Sequence, residues 1–227
     1  MDRVFWHQRW QQNQIGFHEG QVNRHLESYW PGLSPLGDET VMVPLCGKSV
    51  DLAWLASRGH RVVGVELSEL ACRAFFAEHD IAVKVDTLGA FIRFVGGNIE
   101  LLCGDFFDLQ ADMLTKVSLF YDRAALIALP PEMRTRYCAH LASLMPNDAR
   151  GLLVSLDYPA QAFSGPPFAV SEAEIRDQLG QFFAIETLHQ GPLRPTEGLR
   201  KRGLNGASEQ VFMLRKQAQH TLLRRHD

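Results

Sequence analysis

The chain has 227 residues, with 23 lysines and arginines against 26 aspartates and glutamates, for a formal net charge of -3. Charged residues make up 22% of the sequence with both signs interspersed, so the clustered cations that phosphate binding requires are missing and nucleic acid is not an expected partner. A hydrophobic content of 46% excludes disorder for most of the chain and supplies a core for one large α/β domain or two small ones.

The first 40 residues hold two short helical patterns rich in Trp, Gln and His before the Pro31 to Pro35 turn, and they read as a lid. Strand and helix alternate from residue 41, as in a parallel sheet covered on both faces. Val41 to Leu45 is a short strand, Cys46-Gly47-Lys48-Ser49 a tight loop, and Val50, Leu52, Ala53, Leu55 and Ala56 a helical pattern stopped by Gly59. Arg61 to Glu66 is a second β-branched strand, and Ser68 caps a helix through Leu70, Cys72, Phe75, Phe76 and His79. Gly96-Gly97-Asn98 joins Phe91 to Val95 and Ile99 to Cys103 in an antiparallel hairpin.

Val117 to Asp122 is a buried strand, Pro131 opens a long helix ending near Met145, and Gly151 to Asp157 is a fifth core strand. Ser171 to Glu174 has the form of a capping box, and Phe182 to Gln190 with Glu209 to Leu214 close the sheet as an antiparallel pair. These elements predict one domain over residues 1–217, with a lid at 1–40, a core at 41–217 and a frayed tail at 218–227.

No apolar run reaches the roughly 18 residues that span a bilayer, and the charged first decapeptide does not read as a signal segment. Cys46, Cys72, Cys103 and Cys138 are scattered, with no CxxC and no His at zinc-ligand spacing. They predict reduced thiols in a cytoplasmic protein with no metal site. Without an exposed heptad or an extra apolar element, a monomer is the default.

In an open α/β sheet a ligand lies beyond the carboxyl ends of the strands, which directs attention to Pro44 to Ser49. Gly47-Lys48-Ser49 matches the end of a phosphate-binding loop, but that motif needs glycine at position 42, which is Met. The three glycines of a dinucleotide fingerprint are also missing, which disfavours a nicotinamide cofactor. Glu66, at the carboxyl end of the second strand, stands where a carboxylate reaches ribose hydroxyls. A nucleoside cofactor without a diphosphate, bound by this loop and this acid, points to S-adenosylmethionine.

At these motifs the chain resembles a bacterial thiopurine S-methyltransferase. The resemblance rests on Trp6-His7-Gln8-Arg9-Trp10 with Gly16-Phe17-His18, on Val43 to Ser49, on Arg58 to Glu69, on Tyr121-Asp122-Arg123-Ala124-Ala125-Leu126, and on Gly165-Pro166-Pro167-Phe168. It implies a class I, Rossmann-like methyltransferase fold with a seven-stranded, mostly parallel sheet and an N-terminal helical lid. It further implies that Trp10 meets the cofactor from the lid, that Leu45 and Gly47 line its pocket, and that Glu66 binds the ribose. Asp105 and Phe106 would lie along the adenine, and Phe17 would be the lid aromatic on the substrate side. Arg123 would close the site as a catalytic residue shared by cofactor and acceptor, and Arg200 would be a further acceptor-side arginine in the basic segment 193–206.

These roles have physical warrants. A sulfonium is attracted to an aromatic face such as that of Trp10, and an arginine steers and stabilises a thiolate. Aromatic thiols are partly ionised near neutrality, so alignment and water exclusion suffice and a dedicated base is dispensable, although His18 is a candidate. The expected acceptors are heterocyclic thiols, with selenium or tellurium compounds as further acceptors implied by the resemblance. A small-molecule O- or N-methyltransferase using the same cofactor residues, and a non-catalytic nucleoside-binding protein, stay open.

Overall fold

The computed structural model describes residues 3–16, 18–159, 161–193 and 196–218. Two lid helices come first, α1 (Arg3–Gln11) and α2 (Arg24–Tyr29), the second followed by a 3₁₀ turn, Trp30–Leu33. Alternation then begins as β1 (Thr40–Val43), α3 (Val50–Ser57), β2 (Arg61–Glu66) and α4 (Glu69–Glu78). β3 (Lys84–Leu88), β4 (Phe91–Gly96) and β5 (Ile99–Cys103) form a meander, followed by β6 (Val117–Arg123), α5 (Pro131–Leu144) and β7 (Arg150–Asp157). The chain closes with α6 (Glu172–Leu179), β8 (Phe183–Leu193), α7 (Glu197–Lys201) and β9 (Ala207–Lys216).

The strands form one sheet in the order β3-β4-β5-β2-β1-β6-β7-β9-β8. Its parallel centre is β5-β2-β1-β6-β7, and the pairs at either side, including β7 with β9, are antiparallel. The expectation of seven strands is therefore corrected to nine among the described residues, because β3 and β4 extend the sheet beyond β5. β3 escaped prediction because its residues are almost all exposed and carry no burial pattern; Lys84 to Leu88 is an edge whose register comes from β4. The hairpin forms as expected, but β5 is also the third parallel strand, paired with β2 from Val62↔Ile99 to Glu66↔Cys103.

Alternation along each strand assigns the two faces. Val41 and Val43 of β1 join Leu119, Tyr121, Leu152 and Val154 under the α2, α3 and α4 side. Met42 joins Phe120, Leu153 and Phe212 beneath α5 and α6. Helix starts follow the sequence signals: Ser49 accepts from the Asp51 N–H, Ser68 from Ala71 and Ser171 from Glu174. The Glu174 carboxylate is turned to the buried Arg134, 2.7 Å away, rather than back to the cap.

Candidate functional site

The loop after β1 is built by backbone conformation. Leu45 and Gly47 both have positive φ, +46° and +56°, and the turn returns the chain so that the Gly47 N–H donates to Glu66 Oε2 at 2.9 Å. Positive φ is ordinary for glycine but uncommon for leucine, and such strain gathers at binding loops. A Cβ on Gly47 would stand 3.2 Å from the ring of Trp10, so the lid tryptophan lies directly against this turn. Trp10 is the buried residue of α1.

Glu66 is buried at the end of β2, and its other oxygen accepts the Ser68 N–H at 2.7 Å. Burial pushes its pKa up, opposed by hydrogen bonds from the Ser68, Gly47 and Leu67 backbone. Each carboxylate oxygen retains a lone pair, so the group can still accept from two hydroxyls. Beside it, Gly64 makes room for Cys46: a Cβ there would meet the Cys46 Sγ at 2.7 Å. Burial, with Glu66 nearby, raises the Cys46 pKa far above the ordinary thiol range, so this loop cysteine stays protonated and is no nucleophile.

The end of β6 carries a second buried acid. Asp122 accepts from the Tyr137 hydroxyl at 2.6 Å and from the Leu126 N–H at 3.2 Å, and burial raises its pKa to about 6. These bonds hold the turn in which Ala124 has φ +67° and from which Arg123 projects. Arg123 meets a lid carboxylate: its Nη2 lies 2.6 Å from Glu19 Oε1. His18 sits in the field of both Arg123–Glu19 and the Lys48–Glu78 ion pair, and burial and Lys48 hold its pKa below the ordinary value.

The lid is fastened at further points. The buried Asp51, one residue into α3, accepts the Asn23 N–H at 2.8 Å and the Tyr121 hydroxyl at 3.1 Å. His25 and Arg24 both reach Glu209 at 2.7 Å. Burial alone would raise the Glu209 pKa, but hydrogen bonds from His25 and Arg24 outweigh it and hold the carboxyl low. Sequence reading missed Asp51; an acid between the apolar Val50 and Leu52 at a helix start was its signal.

Of the remaining expected residues, Asp105 accepts the Phe107 N–H at 2.9 Å and pairs with Arg3 of the lid at 2.5 Å. The Phe106 ring is buried against Tyr137 and His140, with centroids 5.2 and 5.1 Å away. Phe17 lies outside the described residues. Arg200 is on the exposed α7, whereas Arg202, just past it, lies over Phe163 at 4.7 Å and donates to the Pro166 carbonyl at 3.2 Å. Burial and the charge of Arg9 on α1 lower the Arg202 pKa.

Trp10, Leu45, Gly47, Glu66 and Arg123 thus gather at the carboxyl ends of β1, β2 and β6. A buried carboxylate on a single-glycine turn, beside an aromatic lid, fits the ribose and sulfonium of S-adenosylmethionine and lacks the cradle of a pyrophosphate. Among the described residues no cluster of His, Cys, Asp and Glu could hold a metal, and no helix is long and apolar enough to cross a membrane.

Comparison with known proteins carries the same pattern. The profile of the thiopurine S-methyltransferase (TPMT) family matches residues 1–217. A thiopurine S-methyltransferase of Marinobacter nauticus is 46% identical over 216 residues, covering 94% of this chain and 99% of the relative. One from Pseudomonas aeruginosa is 47% identical over 215 residues, with the same coverage. In fold, the chain is similar to a Burkholderia thailandensis 1,6-didemethyltoxoflavin-N1-methyltransferase bound to S-adenosylhomocysteine, with TM-score 0.65, 17% identity, and coverage of 95% of this chain and 87% of that one. It is also similar to the magnesium protoporphyrin IX methyltransferase of Synechocystis PCC 6803 with bound S-adenosylhomocysteine, at TM-score 0.64, 19% identity, and coverage of 95% and 100%.

Proposed function

The chain belongs to the thiopurine S-methyltransferase family, and from that premise we propose how its own residues carry out the S-adenosylmethionine-dependent reaction. When bound, S-adenosylmethionine supplies a methyl group on a sulfonium, open to displacement by a thiolate. Glu66 would accept the ribose hydroxyls, Leu45 and Gly47 would line the pocket, and the Asp105–Phe106 segment would lie on the adenine side. Trp10, against the Gly47 turn, would present an aromatic face to the sulfonium and exclude water.

Arg123 is the catalytic residue of this reading. Its guanidinium favours the ionised form of an acceptor sulfur and orients it for in-line attack, which is why no separate base is required. Phe17 and a C-terminal arginine complete the acceptor side. Arg202 is a candidate beside Arg200, because it touches the Pro166 carbonyl of the Gly165–Phe168 block and packs over Phe163. Softer selenium and tellurium nucleophiles belong to the same acceptor class, and the four buried, free cysteines fit a reducing cytoplasm.

The observation that carries this proposal is the turn in which Gly47, bonded to Glu66, lies under Trp10 while Arg123 stands at the neighbouring strand end. Isothermal titration with S-adenosylhomocysteine, followed by mass analysis of 6-mercaptopurine after S-adenosylmethionine is added, tests it: binding and a methylated thiol are expected. Arg123→Ala should reduce turnover of ionised thiols more than that of neutral acceptors, by about tenfold if a charge-assisted contact is lost. Equal losses would assign Arg123 to the cofactor side or to structure.

A further inference from the structure

We infer that Glu19 sets acceptor specificity: it is a lid carboxylate that pairs with Arg123 and is exchanged for an anionic acceptor, but not for a neutral one. The inference rests on the assignment of Arg123 to the acceptor.

Glu19 lies in the lid segment between α1 and α2, and its Oε1 stands 2.6 Å from Arg123 Nη2, with the Glu19 side chain 52% exposed and that of Arg123 only 15%. The cation is thus the inner member and the carboxylate the outer one. An acceptor anion that pairs with Arg123 must take the place of Glu19, and the half-exposed carboxylate can return to water when it does. A neutral thiol gains no charge pairing by the exchange and leaves Glu19 where it is. Glu19 therefore competes with anionic acceptors for Arg123 and raises their KM, while a neutral acceptor incurs no such penalty.

The lid does not depend on this ion pair for its position. Asn23 is held by the buried Asp51, Trp10 rests on Gly47, and Arg3 reaches Asp105. A second cation near His18, Lys48, pairs with Glu78 of α4, so both members of that pair belong to the core and lid movement does not separate them. His18 feels the charges of both ion pairs, and of their two carboxylates it is Glu19 that joins the lid to Arg123. A partly exposed ion pair is weak, so the competition should be a matter of a few-fold rather than of orders of magnitude.

The test is steady-state kinetics of full-length Glu19→Gln at saturating S-adenosylmethionine, using substituted thiophenols whose thiol pKa values straddle the assay pH. KM for the ionised members should fall about three- to sixfold, KM for the protonated members should shift less than about twofold, and Glu19→Asp should restore wild-type discrimination. An unchanged KM across the series, or an equal change for both classes, overturns the inference. Weaker binding of S-adenosylhomocysteine by Glu19→Gln also overturns it, since the ion pair would then serve the cofactor end or the lid. Arg123→Ala separates the two levels. If it does not discriminate ionised from neutral thiols, the Arg123 assignment itself fails; if it does while Glu19→Gln is inert, only the exchange fails.

Discussion

The ends of β2 and β6 begin alike and diverge. Each parallel strand finishes near a buried acid, Glu66 or Asp122, and burial pushes both carboxyls up in pKa. The Glu66 oxygens are held by backbone N–H groups of the two crevice loops, at Gly47 and Ser68, and retain capacity for a ligand's hydroxyls. Asp122 is held by Tyr137 of α5 and by the turn that follows its own strand, so it works inside the protein, fixing the turn from which Arg123 leaves β6. The same side-chain chemistry binds at one strand end and positions at the other because the hydrogen-bond donors come from different places.

The largest expected effect concerns Asp122. Its folded pKa of about 6 lies above the ordinary 3.8, so its contribution to stability is fully present below pH 4 and is lost as pH rises through 6. The loss is on the order of 3 kcal/mol. Denaturant unfolding of wild type and Asp122→Asn across pH 4 to 7 should show the wild-type advantage shrinking as pH rises; a pH-independent difference would erase the contrast with an ordinary surface acid.

Next in size, Glu66→Ala should weaken S-adenosylhomocysteine binding by roughly 1 to 3 kcal/mol, the scale of charge-assisted hydrogen bonds. Asp122→Asn should change the same dissociation constant far less, and titration calorimetry on both variants reads the comparison directly. Equal losses would mean that the two acids share one role. The smallest effect separates Arg202 from Arg200. Arg202→Ala should raise the acceptor KM by about fivefold, as for loss of one partly exposed charged contact. Arg200→Ala should stay within about twofold, and the reverse order would return the acceptor role to Arg200.

Most of the crevice was legible in the sequence. The Val41 to Ser49 run, the missing glycines and the acid at position 66 place a nucleoside site at the first strand–helix turn before any contact is known, because local hydrophobic period and turn chemistry are short-range properties. Ser68, Pro131 and Ser171 mark their helices for the same reason. The β3 edge was not legible: an exposed strand has no buried face to write into its sequence, and its pairing with β4 alone defines it. Asp122 read only as the neighbour of Arg123, since its role depends on a hydroxyl that α5 brings from position 137.

By itself the sequence determined the alternating core, the kind of cofactor and the family, because each rests on residues close together in the chain or on blocks whose order is their signature. Only the tertiary structure decided that Trp10 lies on Gly47, that Glu19 pairs with Arg123, that Asp51 ties down the lid, and that Arg202 meets the Gly165–Phe168 block. These contacts join segments far apart in sequence, and their geometry follows from the way the sheet orders its strands and stacks the lid across their carboxyl ends.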